Sequence, residues 1–450
     1  MHTIELFEWE KGAQKSQFSD SELRALNILN NSIRRKEKSD AITITYNKIF
    51  TYSFVGIIQV GNKRIEILPK LYNPDLNISL QALDQDEKNK INKIARRNLF
   101  SLLSYAGMIP TYKTKISKYK EEKDFFEFLI SYFLDDLGEL LASHFYHEYQ
   151  IHYADIPRVK GKIRIHQQAL KLPSQLHQFS CKYNDFSINN SINRVIKAAL
   201  RRLQYLSKSE DNKKRAFFFY SMLGEVADEN ITPSYLSRIH FNRLNECYKG
   251  IIEFCSMILF GSIYTMGGGQ RHYYALIFDM NLTFEKYITR LLRNSLIDFD
   301  FDYQEKIHLA SELPAISNYT RNKKQLIPDI IVRRNGEASA IIDTKYKLNL
   351  SNGYIKNADL YQMMAYCIAK ESDKGLLLYP RLPDQDELKN QELLIVLDKI
   401  KKDQKIDRRV NISAKSIQMF DSNGKVRRKL AEEDIDNLLE FFTSSLLLQS

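Results

Sequence analysis

Asp329, Asp343 and Lys345 are the residues whose types and spacing point most directly to chemistry. They lie in "LIPDIIVRRNGEASAIIDTKYK", residues 326 to 347, where Ile330, Ile331 and Val332 read as one buried strand and Ala340, Ile341 and Ile342 begin a second. Asn335-Gly336 between the runs reads as a tight turn, because both residues accept positive φ. A lone carboxylate among apolar neighbours is costly unless something pairs with it. Side chains alternate faces along a strand, so Asp343 and Lys345 point the same way. With a two-residue turn, Asp329 falls opposite Ile342 and diagonal to Asp343, and a small register shift brings the two carboxylates to one spot. Carboxylates that converge repel unless a cation sits between them. A hard divalent ion, Mg²⁺ with Mn²⁺ as the alternative, suits that arrangement. Such an ion acidifies a water that a nearby lysine can orient, which is the chemistry of phosphodiester hydrolysis. A solvated strand face would also produce acid-x-Lys, so the elements around the pattern matter.

Those elements divide at "MGGGQ", residues 266 to 270, where three consecutive glycines break any regular structure. Residues 1–265 read as an N-terminal α+β region and 266–450 as a second domain. Residues 1 to 80 look strand-rich, with a hairpin pattern around Gly61-Asn62. Residues 74 to 92 read as a loop or weak helix, and from 93 to 150 apolar residues recur every three to four positions, as in a helix. "IPRVKGKIRIHQQ" (156 to 168) returns to alternation and suggests a short β element. Ile192, Val195, Ile196, Ala199, Leu200 and Leu203 form one helical stripe. A polar linker over 207 to 215, more helix to about 264, helices near 281 to 296 and 357 to 370, and the strand "KGLLLYP" complete the reading.

The chain has 450 residues, enough for two to three cores. A net charge of +11 favours a polyanionic partner such as double-stranded DNA, with plain solubility as the ordinary alternative. Cys181, Cys247, Cys255 and Cys367 form no CxxC pair and read as reduced, mostly buried thiols of a cytoplasmic protein. The start lacks the apolar core of a signal peptide. The longest apolar stretch, 250 to 266, contains Glu253 and reads as a buried helix rather than a membrane span. There is no GxxxxGK[ST] loop, so the chain itself is not expected to bind a nucleotide by that mechanism.

Pro328-Asp329, thirteen residues, then Asp343-Thr344-Lys345 resembles the catalytic motif of the PD-(D/E)xK nuclease superfamily. That resemblance implies an α/β fold with a C-terminal restriction-endonuclease-like core, metal held by Asp329 and Asp343, and Lys345 beside the attacking water. It also suggests Glu285 on the preceding helix and Gln362 on the following one as further site residues. "FVGIIQVGNKRIEILPKLY", "RRNLFSLLSYAGMIP", "VKGKIRIHQQ", "CKYNDFSINNSINRVIKAALRRL" and "FDMNLTFEKYI" precede the motif in that order. Together they resemble the McrC family, over about 45 to 380. The resemblance implies a nuclease subunit that docks on a hexameric ring of McrB, an AAA+ GTPase, and cuts DNA containing 5-methylcytosine. It also implies that the N-terminal part stimulates that GTPase, with Arg158, Lys160, Lys162 and Arg164 as candidates and a packing or DNA-contacting strand as the alternative. An inactive scaffold that activates the ring, or a stand-alone repair nuclease, are the rival functions. Residues 1–45, 74–92 and 400–450 carry no role from the resemblance.

Overall fold

A computed structural model describes residues 2–9, 13–37, 39–72, 84–110, 124–261, 263–265, 272–311, 323–347, 355–381, 391–401 and 404–444. The chain opens with β1 (His2–Phe7), β2 (Ala13–Gln14), α1 (Asp20–Glu37), β3 (Ile42–Ile44), β4 (Lys48–Thr51), β5 (Phe54–Val60) and β6 (Lys63–Leu68). Helix α1 interrupts the stretch read as strand-rich. Its start is marked by Ser19 and Glu22, which bond each other's backbone N–H groups in a capping box. Its Leu23, Leu26, Leu29 and Ile33 form a second core with Ile58, Ile65 and Ile67.

Helices α2 (Gln85–Tyr105) and α3 (Phe125–Ser143) follow, then β7 (Glu148–Ile156), β8 (Lys162–Ile163), α4 (Ile165–Ala169) and β9 (Phe179–Ser187). Strands β7, β9 and β8 make a separate antiparallel sheet. Ile165, read as part of an alternating strand, instead begins α4. Next come α5 (Ser191–Leu206), α6 (Glu210–Met222), α7 (Pro233–Leu236) and α8 (Lys249–Phe260). Of residues 207 to 215, read as a linker, only 207 to 209 join the helices and 210 to 215 begin α6. Ser209 caps α6 by accepting from Asn212 N, and Glu210 and Asp211 favour its positive N-terminus.

Strands β10 (Ile263–Thr265) and β11 (His272–Asp279) complete the first sheet, in the order β1-β6-β5-β11-β10. The glycine run at 266–270 lies outside the described residues. The apolar stretch read as a buried helix is α8, and no helix among the described residues is long and apolar enough to cross a membrane.

The remaining elements are α9 (Met280–Ser295), β12 (Asp300–Tyr303), β13 (Ile307–Ser311), β14 (Lys323–Leu326), β15 (Ile330–Arg334), β16 (Glu337–Thr344), α10 (Asn357–Lys370), β17 (Lys374–Arg381), β18 (Gln391–Lys401), β19 (Gln404–Gln418) and α11 (Glu432–Thr443). Six of the strands form a mixed sheet, β12-β15-β16-β17-β19-β18. Its central strands are buried on both faces, which is why they read as continuous apolar runs. Ile330, Val332, Ala340, Ile342, Leu376 and Leu378 join the main core, while Ile341, Leu377 and Tyr379 pack with Met363 and Cys367 of α10. Gly375 lets α10 approach, since a Cβ there would stand 2.6 Å from Met363 Cγ.

The two large sheets are tied to the helices by ion pairs rather than by apolar contact alone. Arg64 on β6 is fully buried and meets Asp124 Oδ2 at 2.9 Å and Glu127 Oε1 at 3.0 Å. It also donates to Gln59 Oε1 and to the Leu206 carbonyl that ends α5. Replacing Arg64 by Ala strands two buried carboxylates, so we expect a loss of about 3–5 kcal/mol of stability, read as a fall in Tm.

Candidate functional site

The turn forms as expected, with Asn335 at φ 54° and Gly336 at φ 86°. The pairing beyond it differs from a plain two-residue hairpin. Ile330 faces Ile342 and Val332 faces Ala340, whereas Arg333 faces Ala338, so Ser339 is an extra residue in β16. This bulge shifts the register by one and carries Asp329 from a position opposite Ile342 to one opposite Asp343. Bulges re-aim side chains in this way. Asp329 and Asp343 thus meet at the end of the hairpin away from the turn.

Each carboxylate is held by its neighbours. Asp329 Oδ2 accepts from Thr344 N and Thr344 Oγ1, both at 2.7 Å. Asp343 is buried, and Lys345 Nζ approaches its Oδ2 at 2.6 Å as an ion pair whose angle falls outside hydrogen-bond geometry. Lys345 Nζ also donates to Gln362 Oε1 at 3.0 Å and lies 3.6 Å from Asp359 Oδ1. Gln362 Nε2 donates to Tyr366 OH at 2.7 Å, and that hydroxyl donates to the Ile327 carbonyl. Helix α10 therefore fixes the lysine, and the exposed Gln362 places the group beside solvent.

Glu285 reaches the same site from α9, where it is buried and accepts from Gln304 Nε2 at 2.9 Å. Burial and then the charge of Asp329 push its pKa up, with Asp343 adding to the rise. Burial followed by Asp329 likewise raises Asp343, against the pull of Lys345. Burial raises Asp329, although the two Thr344 bonds oppose it. Burial alone would lower Lys345, but the carboxylates around it, Asp343 first, hold it above the ordinary lysine range.

Asp343, Asp359 and Asp329 thus crowd one lysine, with Glu285 close to the two aspartates of the hairpin, an excess of negative charge that a cation would relieve. Among the described residues no three or more His, Cys, Asp and Glu side chains are grouped to hold a metal ion. A cation here would rest on Asp329 and Asp343 and complete its shell with water or substrate oxygens, which is how Mg²⁺ ordinarily binds.

Sequence reasoning did not identify Thr344, Asp359, Gln304 or Glu8. Thr344 carried a signal, since it lies between Asp343 and Lys345. Glu8 carried none, being more than three hundred residues from its partner. Tyr346 OH donates to Glu8 Oε1 at 2.5 Å, and Lys70 N donates to the same oxygen at 3.0 Å. Lys70 Nζ sits 4.9 Å above the Tyr346 ring, which also packs against Phe284. The N-terminal sheet thereby grips the residues that follow Lys345 and precede Glu285.

The four basic candidates cluster on the small β7-β9-β8 sheet. Lys160 pairs with Asp185 at 3.2 Å and lies 4.5 Å over the Tyr183 ring, while Arg164 lies 5.0 Å over Tyr153. Arg158 and Lys162 are exposed and make no ion pair among the described residues. Tyr149, Ile151, Tyr153, Ile163, Ile165 and Phe186 are exposed on the same small lobe, a concentration of apolar surface that monomeric proteins seldom leave bare.

The architecture is that of a restriction-system component, because a family model described as the McrBC 5-methylcytosine restriction system component matches residues 49–380. The chain belongs to that family. It is 23% identical over 243 residues to the type IV methyl-directed restriction enzyme EcoKMcrBC of Escherichia coli K12, covering 50% of this chain and 68% of that protein. Its fold matches a chain from a half-complex of Thermococcus gammatolerans McrB AAA+ hexamers with bound McrC. That match has a TM-score of 0.71 and 17% identity, over 97% of this chain and 100% of that one. A second match is to the Thermococcus gammatolerans McrBC complex. It has a TM-score of 0.53 and 20% identity, over 65% of this chain and 87% of that one.

Burial raises Glu8 to about 7. Its carboxyl is ionised more readily in the unfolded chain, so its contribution to stability is present below pH ~4.5 and is lost as pH rises through about 7. Glu8→Gln keeps an acceptor oxygen and removes the titration. Its Tm should therefore fall less than the wild-type value between pH 5 and 8, measured by thermal melts across roughly that range.

Proposed function

We propose that this chain is the Mg²⁺-dependent nuclease subunit of a McrBC-type restriction complex, cutting DNA marked by 5-methylcytosine. The observation that carries the reading is the bulged register that sets Asp329 opposite Asp343 with Lys345 beside them. A divalent ion bound between the two carboxylates would neutralise charge at the scissile phosphate and acidify a nearby water. Asp329 and Asp343 bind and orient, with Thr344 fixing Asp329 by two bonds. Lys345 is kept charged by Asp343 and aimed by Gln362, so it can stabilise charge building on the phosphate oxygens. Glu285, whose proton is retained to unusually high pH by burial and by Asp329, completes the carboxylate group. The C-terminal sheet with α9 and α10 forms the nuclease domain.

The same reading assigns nucleotide hydrolysis to a partner, an AAA+ ring of the McrB type, since this chain has no phosphate loop of its own. The lobe of β7, β8 and β9 is the docking element, because its exposed aromatic and aliphatic side chains need a cover. Arg158 and Lys162 remain available to stimulate the partner's GTPase.

Asp343→Asn should reduce cleavage of methylated plasmid by at least about a hundredfold, as expected for loss of metal-assisted catalysis. Co-purification with the ring should be unchanged. Plasmid cut at the wild-type rate by this variant would end the nuclease reading and leave the scaffold. Arg158→Ala should lower stimulated GTP turnover by more than about tenfold if its guanidinium meets the transferring phosphate. Lys160→Ala, which loses only contacts within the lobe, should change it little.

A further inference from the structure

We propose a phosphate-ester binding site, separate from the carboxylate site, in the cavity of about 620 Å³ beside α5, centred on Arg202. Arg202 lines this cavity, and its Nε and Nη2 are sealed from water without any acceptor. Next to it the buried Tyr274 hydroxyl also lacks a partner. A partly desolvated guanidinium without a counter-ion carries a cost that an anion would relieve. Two arginines of the first sheet and its helices are compensated in this way: the buried Arg64 is paired with Asp124 and Glu127, and the partly buried Arg96 with Glu5 and Glu66. The acids nearest α5 are committed elsewhere. Asp228 lies 3.8 Å from both Lys197 and Arg201, and Glu229, which also lines the cavity, is 3.4 Å from Arg194. Arg202 therefore lacks the anion its position calls for.

The cavity indicates what that anion is attached to. Its volume lies within the roughly 300–1,000 Å³ of small-molecule sites and far exceeds a single ion. Ala198, Ile231 and Leu259 supply apolar wall, and the ring of Tyr205 stands exposed at the rim, where a flat heterocycle can stack. Arg201 adds a second guanidinium at the mouth. Arginine forks match phosphate oxygens in geometry and charge. Guanidinium beneath, aromatic ring at the rim and apolar wall between them fit a nucleotide, either free or as one unit of a DNA strand.

The test is calorimetric titration of the full chain with inorganic phosphate, guanosine 5′-monophosphate, guanosine and a short single-stranded oligonucleotide. Saturable binding of the monophosphate but not of guanosine is expected, and Arg202→Gln should weaken it at least about tenfold, as loss of a charge-assisted contact does. Arg202→Lys, which keeps the charge without the fork, should fall between. Tyr205→Ala, at an exposed ring, should weaken the monophosphate and leave inorganic phosphate unchanged. In phosphate-free buffer Arg202→Gln should melt no lower than wild type, since it removes an uncompensated charge. Tighter binding of the oligonucleotide, still dependent on Arg202, would assign the ester to a strand, and tighter binding of the monophosphate would assign it to a free nucleotide. No saturable phosphate or nucleotide binding, or binding unaffected by Arg202→Gln, would overturn the site. None of these readouts involves DNA cleavage.

Discussion

Crowding of like charge at the end of one hairpin is the constraint from which much of the C-terminal architecture follows. Asp329, Asp343 and Glu285 are brought together in a setting where burial alone raises each pKa. A fold tolerates that only when neighbouring elements supply donors and a cation. Thr344 donates twice to Asp329, Gln304 donates to Glu285, and Lys345 stands against Asp343. Lys345 in turn is steadied by Gln362 and Asp359 of α10. Helix α10 reaches them because Gly375 leaves room for Met363. The compensation is partial, and the proposed divalent ion rests on the negative charge that remains.

This arrangement is not confined to one domain. Strand β11 pairs with β5 of the N-terminal sheet, and its last residue, Asp279, caps α9, the helix that carries Glu285. Glu8 and Lys70 hold Tyr346 directly after Lys345. Further along, Asn98 of α2 donates to the Gly424 carbonyl and Tyr105 to that of Arg428. A displacement of the N-terminal sheet would therefore reach the lysine through one hydrogen bond and the glutamate through one helix. The contacts are direct, so such coupling needs no long chain of intermediates.

The legible part of this fold was the part governed by local pattern. The helices at 191–206, 280–295 and 357–370, the Asn-Gly turn and the paired apolar strands all follow from periodicity and turn chemistry. The bulge at Ser339 was not legible, because a serine in a strand is ordinary and only the partner strand reveals the extra residue. Helix α1 was obscured by its polar surface and by the strands on either side. The first turns of α6 were hidden because the helix buries little beyond Asn212 and Ala216, so its stripe is faint. The Glu8–Tyr346 bond joins the two ends of the chain, a pairing no local signal encodes.

Net charge was the least informative of the sequence properties, for a structural reason. Many of the cations that make up the excess act inside the molecule. Lys374 donates to the Phe441 and Phe442 carbonyls, and Lys415 to that of Asn437, so two lysines neutralise the C-terminal end of α11. Lys197 caps the Val226 carbonyl, and Arg381 meets Asp434 at 3.1 Å. Lys374, Lys415 and Arg381 thus fasten α11 against the sheet. What matters for an anionic ligand is not the total but where a cation is left uncompensated. Arg158, Lys162 and Arg202 make no ion pair among the described residues. Arg158 and Lys162 lie on an exposed lobe, where water already solvates them and a partner gains by displacing it. Arg202 lines a cavity with two guanidinium nitrogens that have no acceptor, so an anion there would relieve a cost already present in the empty protein.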